Sequence, residues 1–241
     1  MDKLVHSEVA GDVSIITLNR PDKLNAMSMD MVEQLQNAVD DAHGRRARLI
    51  IFKGAGKSFC AGFDLSNLEE VEESELLMRF IKLELLLQAV ANSPCLTVAF
   101  AQGKVFGAGV DLFAACKQRI AAQDAVFRMP GLKFGLVLGT RRFSQIVGIE
   151  RARELLQVTS SFSSSEALHM NFVQRIAEPA IWEEISREAE VFSTQLDRTT
   201  QATLYSVLGA EKFNDVDLAN LVRSAARSGL KDRIRSYINS K

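Results

Sequence analysis

Ser93–Leu112, SPCLTVAFAQGKVFGAGVDL, is the stretch that decides how this chain folds. Leu96–Ala101 is a short apolar run with β-branched Thr97 and Val98 behind Pro94, the pattern of a buried strand. Gly103 ends it. Gly107, Ala108 and Gly109 open a second apolar segment, Val110–Cys116, which predicts a helix. Small residues at a helix start leave backbone N–H groups bare, and these donors, with the positive end of the helix dipole, favour negative charge. Asp111 follows within the first helical turn. Strand, small-residue turn, helix start and acid, in that order, make an oxyanion site with an acid/base group beside it. The bland alternative is that Asp111 only complements the helix dipole.

On the N-terminal side, Val13–Leu18 (VSIITL) and Leu49–Phe52 (LIIF) read as strands. Between them NRPDKLNAMS is a loop, and Ser28 is placed to cap a helix over Met29–Ala42 with Met31, Leu35, Ala38 and Val39 on its apolar face. Gly54–Ser58, GAGKS, lacks the full phosphate-loop spacing and reads as a turn. Phe59–Leu65 is a second small-residue turn. Ser66–Glu75 is acidic, and with Glu84 further on it reads as a solvated helix face before the apolar helix Leu76–Ala91. On the C-terminal side, Ile120–Phe127 reads as one strand with a turn at Asp124, and Met129–Thr140 as a glycine-rich loop. Arg142–Val147 and Ile149–Val158 predict helices. Ser165 is the expected cap of a helix over Glu166–Met170, Phe172–Ala177 a last strand, and Ile181–Leu196 an amphipathic helix. From Thr199 the pattern is helical, with breaks near Asn214 and Ser228. Strand–strand–helix units followed by helices predict an α/β core over residues 1–196 and a helical region over 197–241.

With 47% hydrophobic residues a chain of 241 can build a sizeable core. Basic and acidic residues number 29 and 30, so nothing in the charge balance points to nucleic acid or an anionic membrane. No apolar run approaches the roughly 20 residues a membrane span needs, and MDKLVHSEVAGD has no apolar signal region. Cys60, Cys95 and Cys116 lie in apolar or small-residue settings without a CxxC, which predicts buried free thiols and a cytoplasmic protein. No metal-ligand spacing is present. His6, His43 and His169 lie in surface-like stretches and receive no role.

Four segments in order resemble the crotonase superfamily, the enoyl-CoA hydratase/isomerase family: Asn19–Ala26 (NRPDKLNA), Lys57–Leu65 (KSFCAGFDL), Ala101–Cys116 (AQGKVFGAGVDLFAAC) and Ala122–Gly148. The resemblance implies a spiral of ββα units with a C-terminal helical trimerisation region, assembled as a homotrimer or hexamer. It implies an acyl-CoA thioester as ligand, with no separate cofactor because coenzyme A is part of the substrate. By matching position, the N–H groups of Phe63 and Ala108 would hold the thioester oxygen as it becomes an enolate, and Asp111 would be the acid/base. Lys23, Leu24, Ala26, Ala61, Asp64 and Leu65 would contact coenzyme A, with Gly107 and Gly131 lining the site.

The departures are chemical. Hydratases of this family use two glutamates. Asp111 takes the first position, one carbon shorter and closest in its surroundings to dienoyl-CoA isomerases. Gly131 takes the second, and Phe127–Ile149 holds no Asp or Glu at all. Glycine there also occurs in the naphthoate synthase branch, where bicarbonate stands in, but the following KFG is only loosely similar. Hydration needs a base for water and an acid for the α-carbon, whereas one carboxylate suffices to shuttle a proton. Isomerase-like proton transfer is therefore expected. An acyl-CoA-binding homologue without turnover and an acyl-CoA thioester hydrolase are the rival readings. Arg142 is expected in a structural ion pair.

Overall fold

The computed structural model describes residues 3–209 and 211–240, so Met1, Asp2, Ala210 and Lys241, at the outer ends of the expected ranges 1–196 and 197–241 and within the second, lie outside the described residues. The chain winds as a spiral. β1 (Val5–Ala10) and β2 (Val13–Leu18) lead to α1 (Met29–Gly44), and β3 (Leu49–Gly54) to α2 (Glu73–Ala91). β4 (Leu96–Ala101) and β5 (Lys104–Phe106) lead to α3 (Ala108–Ala115). β6 (Gln118–Ala121) and β7 (Val126–Arg128) lead to α4 (Thr140–Val147) and α5 (Ile149–Val158). β8 (Phe162–Ser163), α6 (Ser164–His169), β9 (Arg175–Ile176) and α7 (Trp182–Ser193) follow, then the tail helices α8 (Arg198–Leu208), α9 (Asn214–Ala225) and α10 (Leu230–Asn239). Successive turns feed a six-stranded sheet ordered β1-β2-β3-β4-β6-β9 and a small sheet ordered β5-β7-β8.

From β2 to β9 the large sheet is parallel, and its central strands β3 and β4 are apolar runs because both their faces are covered, whereas β6 and β9 carry Gln118, Arg119 and Arg175. All six residues of β4 are buried. Ser28 caps α1, its hydroxyl accepting from Met31 N–H at 3.3 Å, and the helix buries Met31, Val32, Leu35, Ala38, Val39 and Ala42. Each fully buried Leu, Val or Met contributes about 1.5–3 kcal/mol. One core joins α1, α3 and both sheets, with Phe113 and Phe127 ring centroids 5.4 Å apart. A second lies on the other sheet face around Phe100 and Trp182. A third joins Phe80, Phe134 and Leu136 to Leu221, Ile234 and Tyr237 of the tail.

Several elements differ from expectation. β1 pairs antiparallel with β2 at the sheet edge, and VHSEVA hides this because only Val5 is buried and both of its faces are largely wet. Ile120–Phe127 is two strands in different sheets, not one, because Asp124 sits at a switch where its carboxylate accepts from Gly103 N–H at 3.3 Å. Ser163 rather than Ser165 caps α6, in a capping box with Glu166. Ser66–Glu72 is a set of turns, and α2 starts at Glu73. Glu84 is not solvated: it is 1% exposed and paired with Arg142. The first tail break comes after Leu208, ahead of Asn214. In the tail Leu221 and Ile234 are buried, while Leu208 is 74% exposed.

Candidate active site

The site is built by locking two loops against a helix start. In Arg20–Met27, Leu24 and Asn25 adopt left-handed backbone, with φ of 51° and 56°. The buried Asn25 stabilises this turn: its carbonyl accepts from Arg20 N–H at 2.8 Å and its amide donates to Ala55 O and Ser58 O. The Arg20 guanidinium pairs with Asp64 and donates to Ala26 O at 3.2 Å. Met27 N–H then donates to Gly62 O at 2.8 Å, and Asp64 N–H to Met27 O at 3.0 Å. In such a parallel bridge the residue between, Phe63, turns its own N–H away from Met27.

Opposite it, Gly107 N–H donates to Arg128 O at 2.8 Å and α3 begins at Ala108. A methyl on Gly109 would lie 2.4 Å from Cys60 O, so only glycine lets the helix start press on the Cys60–Phe63 loop. Neither Phe63 N–H nor Ala108 N–H has a hydrogen-bond partner among the described residues. Both border one cavity of about 420 Å³. Its walls include Phe80, Leu83, Leu136 and Leu138, and also Phe134 and Tyr237, whose ring centroids are 5.3 Å apart. Exposed Lys104 and half-buried Arg128 add cations to the lining.

Asp111 is the one carboxyl among the described lining residues, and it is 3% exposed. Its Oδ1 has no hydrogen-bond partner. Burial pushes its pKa well above the usual carboxylate value; Arg142 opposes this and Glu84 adds to it. The Arg142–Glu84 pair is itself buried, and Gln88 donates to Glu84 Oε1 at 2.9 Å. Arg141 clasps Asp217 of α9 alongside, Nε to Oδ1 at 2.8 Å. The Asp111 carboxyl lies directly on Gly139, where a methyl would come 1.8 Å from Oδ1. Two bare amides and a carboxyl of raised proton affinity in an apolar cavity can stabilise a developing oxyanion and move a proton near it.

Of the residues singled out from sequence, Leu24, Ala61, Phe63, Leu65, Gly107, Ala108, Asp111 and Gly131 border the cavity together. Lys23 is exposed on the loop, and Ala26 and Asp64 belong to the hydrogen-bonded scaffold behind it. Gly131 lies on the lining with an ordinary negative φ. Arg142 forms the expected ion pair. Tyr237 escaped notice and Glu84 was read as solvated, although each falls on an apolar helical stripe, Phe80–Glu84–Leu87 and Leu230–Ile234–Tyr237. All three cysteines are buried and free, and burial raises the Cys60 thiol to about 12. Among the described residues no cluster of three or more His, Cys, Asp or Glu could hold a metal, and no helix is long and apolar enough to cross a membrane.

The profile of the enoyl-CoA hydratase/isomerase family matches residues 8–212. The chain belongs to that family. As a crotonase-superfamily member it is 36% identical over 167 residues to a probable enoyl-CoA hydratase of Mycobacterium tuberculosis, spanning 68% of this chain and 67% of that one. It is 31% identical over 190 residues to the peroxisomal Delta(3,5)-Delta(2,4)-dienoyl-CoA isomerase of Arabidopsis thaliana, spanning 72% of this chain and 68% of the isomerase. A crystal structure from Bordetella parapertussis, assigned to the enoyl-CoA hydratase/isomerases, superposes with a TM-score of 0.96 at 48% identity and 98% coverage of each chain. The spiral described above is the crotonase fold.

Proposed function

We propose that this crotonase-family protein binds an acyl-CoA thioester and moves a double bond by single-carboxylate proton transfer. The observation that carries the reading is that Asp111 is the only carboxyl among the described residues of the cavity lining, with Gly131 bringing no side chain. The thioester oxygen sits between Phe63 N–H and Ala108 N–H, which hold negative charge as the enolate forms. Asp111, as carboxylate, takes the α-proton and returns it two carbons along the chain. Its raised proton affinity brings it nearer to the substrate carbon acid, the direction that favours both halves of the shuttle. Lys23, Leu24, Ala26, Ala61 and Leu65 lie on or next to the loops that would carry coenzyme A, and Asp64 holds Arg20 beneath them. We further propose a homotrimer or hexamer, because Val191, Phe192, Val207 and Leu208 expose apolar surface on α7 and α8. Three free thiols support a reducing, cytoplasmic setting.

The test is conversion of a 3-enoyl-CoA to the 2-enoyl-CoA, compared with hydration of crotonyl-CoA. Asp111→Asn should cost about 10²–10⁴-fold in isomerisation. Wild-type hydration at roughly 10 s⁻¹ or above, without isomerisation, would overturn the reading. Release of free thiol would favour a thioester hydrolase, and binding without turnover an acyl-CoA-binding homologue.

A further inference from the structure

The cavity lining carries a cation that no acid among the described residues neutralises. Arg128, the last residue of β7, is half-buried, and its Nε donates to Thr159 O at 3.0 Å, at the C-terminal end of α5. That bond orients the guanidinium but uses only one of its several N–H donors. Both Nη groups, the open end of the fork, have no hydrogen-bond or ion-pair partner among the described residues. Asp111 enters no ion pair there, and Asp232 is held by Arg235 at 2.6 Å. Arg128 and Tyr237 also border a second, wider space of about 970 Å³, together with Lys133, Asp232, Arg233 and Ser236. Arg233 donates to the carbonyls of Phe134, Ser224, Arg227 and Ser228 and meets no acid, and Lys133 is exposed without an ion pair. Positive charge is therefore in surplus where the two spaces meet.

A plain hydrocarbon chain gives such a group nothing to bind. Ligand cavities are lined mainly by apolar side chains, and their few polar groups set what the ligand must carry. A free guanidinium fork fits a carboxylate or a phosphate, through two parallel hydrogen bonds. Position decides between them. Gly107 N–H donates to Arg128 O at 2.8 Å and Arg128 stands in register with Phe106, so it is anchored beside the Ala108 amide that we assign to the thioester oxygen. The phosphates of coenzyme A are separated from that oxygen by the whole pantetheine arm, whereas the acyl group begins there. We propose that the acyl group of the substrate carries a carboxylate of its own, and that Arg128 selects it. The inference rests on the acyl-CoA reading but not on the proton-transfer step, since Arg128 makes and breaks no bond to carbon.

The experiment is calorimetric titration of the full chain with saturated acyl-CoA thioesters, so no turnover is needed. A dicarboxylic series from succinyl- to suberoyl-CoA is compared with monocarboxylic acyl-CoAs of the same lengths. Wild type should favour the dicarboxylic member of at least one pair by about 10–10²-fold, the effect of a hydrogen bond to a charged group. Arg128→Gln, which keeps an N–H donor, should lose that preference while binding the monocarboxylic series as before. Arg128→Lys, with a charge but no fork, covers the case in which Arg128→Gln does not fold, and should lose part of the preference. No preference at any length in wild type overturns the proposal, as does an undiminished preference in a folded variant. Equal loss for both series also overturns it, because Arg128 would then hold a phosphate of coenzyme A. Failure of both series to bind refutes the acyl-CoA reading, and this inference with it. Absence of isomerisation refutes only the proton-transfer step.

Discussion

Gly139→Ala should disable proton transfer while leaving the fold and ligand binding in place. A methyl at this position would stand 1.8 Å from Asp111 Oδ1 and 2.6 Å from its Cγ, where real contacts of this kind do not fall below 3.0 Å. The carboxyl must therefore retreat by more than 1 Å, and a displacement of about 1 Å costs on the order of 10²-fold in rate. Gly139 also has φ +65°, a left-handed angle that costs an alanine about 1–2 kcal/mol. In a chain of this size that lowers the melting temperature by about 2–8 °C. Because the two amides and the loop residues at the other end are untouched, KM for the acyl-CoA should hold while kcat falls about 10²-fold. Gly11→Ala is the control. Gly11 has φ +58° and nothing within 4 Å of an added methyl, so it bears the backbone cost without the collision. Steady-state isomerisation and thermal melts on both variants decide the matter. A folded Gly139→Ala with full turnover refutes the placement of Asp111, and equal loss of turnover in Gly11→Ala refutes the steric explanation.

Ala108→Pro removes one oxyanion donor at the first position of α3, where proline is tolerated and the preceding Gly107 offers no side chain to its ring; turnover should drop about 10²–10³-fold, measured on protein with an unchanged circular dichroism spectrum. Gly131→Glu should raise crotonyl-CoA hydration about 10-fold or more by adding a carboxyl across the cavity, since Gly131 has an ordinary negative φ and an added Cβ meets only Leu136, its O at 3.3 Å and its Cβ at 3.9 Å; no gain in a folded variant counts against a missing second acid. Asp111 binds its proton more tightly folded than unfolded, so its contribution to stability is full below about pH 4 and is lost as pH rises through its raised folded value. Asp111→Asn should accordingly stabilise the protein increasingly with rising pH in thermal melts, and a pH-independent difference would show that burial does not shift this group.

The centre of the large sheet was legible because β3 and β4 are buried on both faces, so LTVAFA and LIIF needed no partner to be recognised. Edge strand β1 was not, because VHSEVA buries only Val5 and its pairing with β2 is what makes it a strand. Chain-local pattern also cannot tell that Ile120–Phe127 divides between two sheets. In the site, the glycine-rich turns and the helix start announced the two amides, since close approach and bare N–H groups demand small residues. What stayed hidden was long range: Asn25 bridging to Ala55 and Ser58, Glu84 reaching Arg142 of α4, and Tyr237 returning to Phe134. A glutamate on an apolar stripe looks like the end of a solvated run until its arginine is in view.

Phe134 and Tyr237, which meet on the cavity lining, are made at very different moments of synthesis. A ribosome that has delivered everything up to Gly229 has already produced every described strand, both bare amides and Asp111, yet the pocket it leaves behind lacks Tyr237 from its lining. A nonsense or frameshift lesion confined to the codons of α10 would thus spare the whole spiral and uncover Phe134, Leu136 and Leu221, greasy side chains that quality-control proteases and chaperones recognise. The loss of α10 is thus one that the rest of the molecule displays on its own surface.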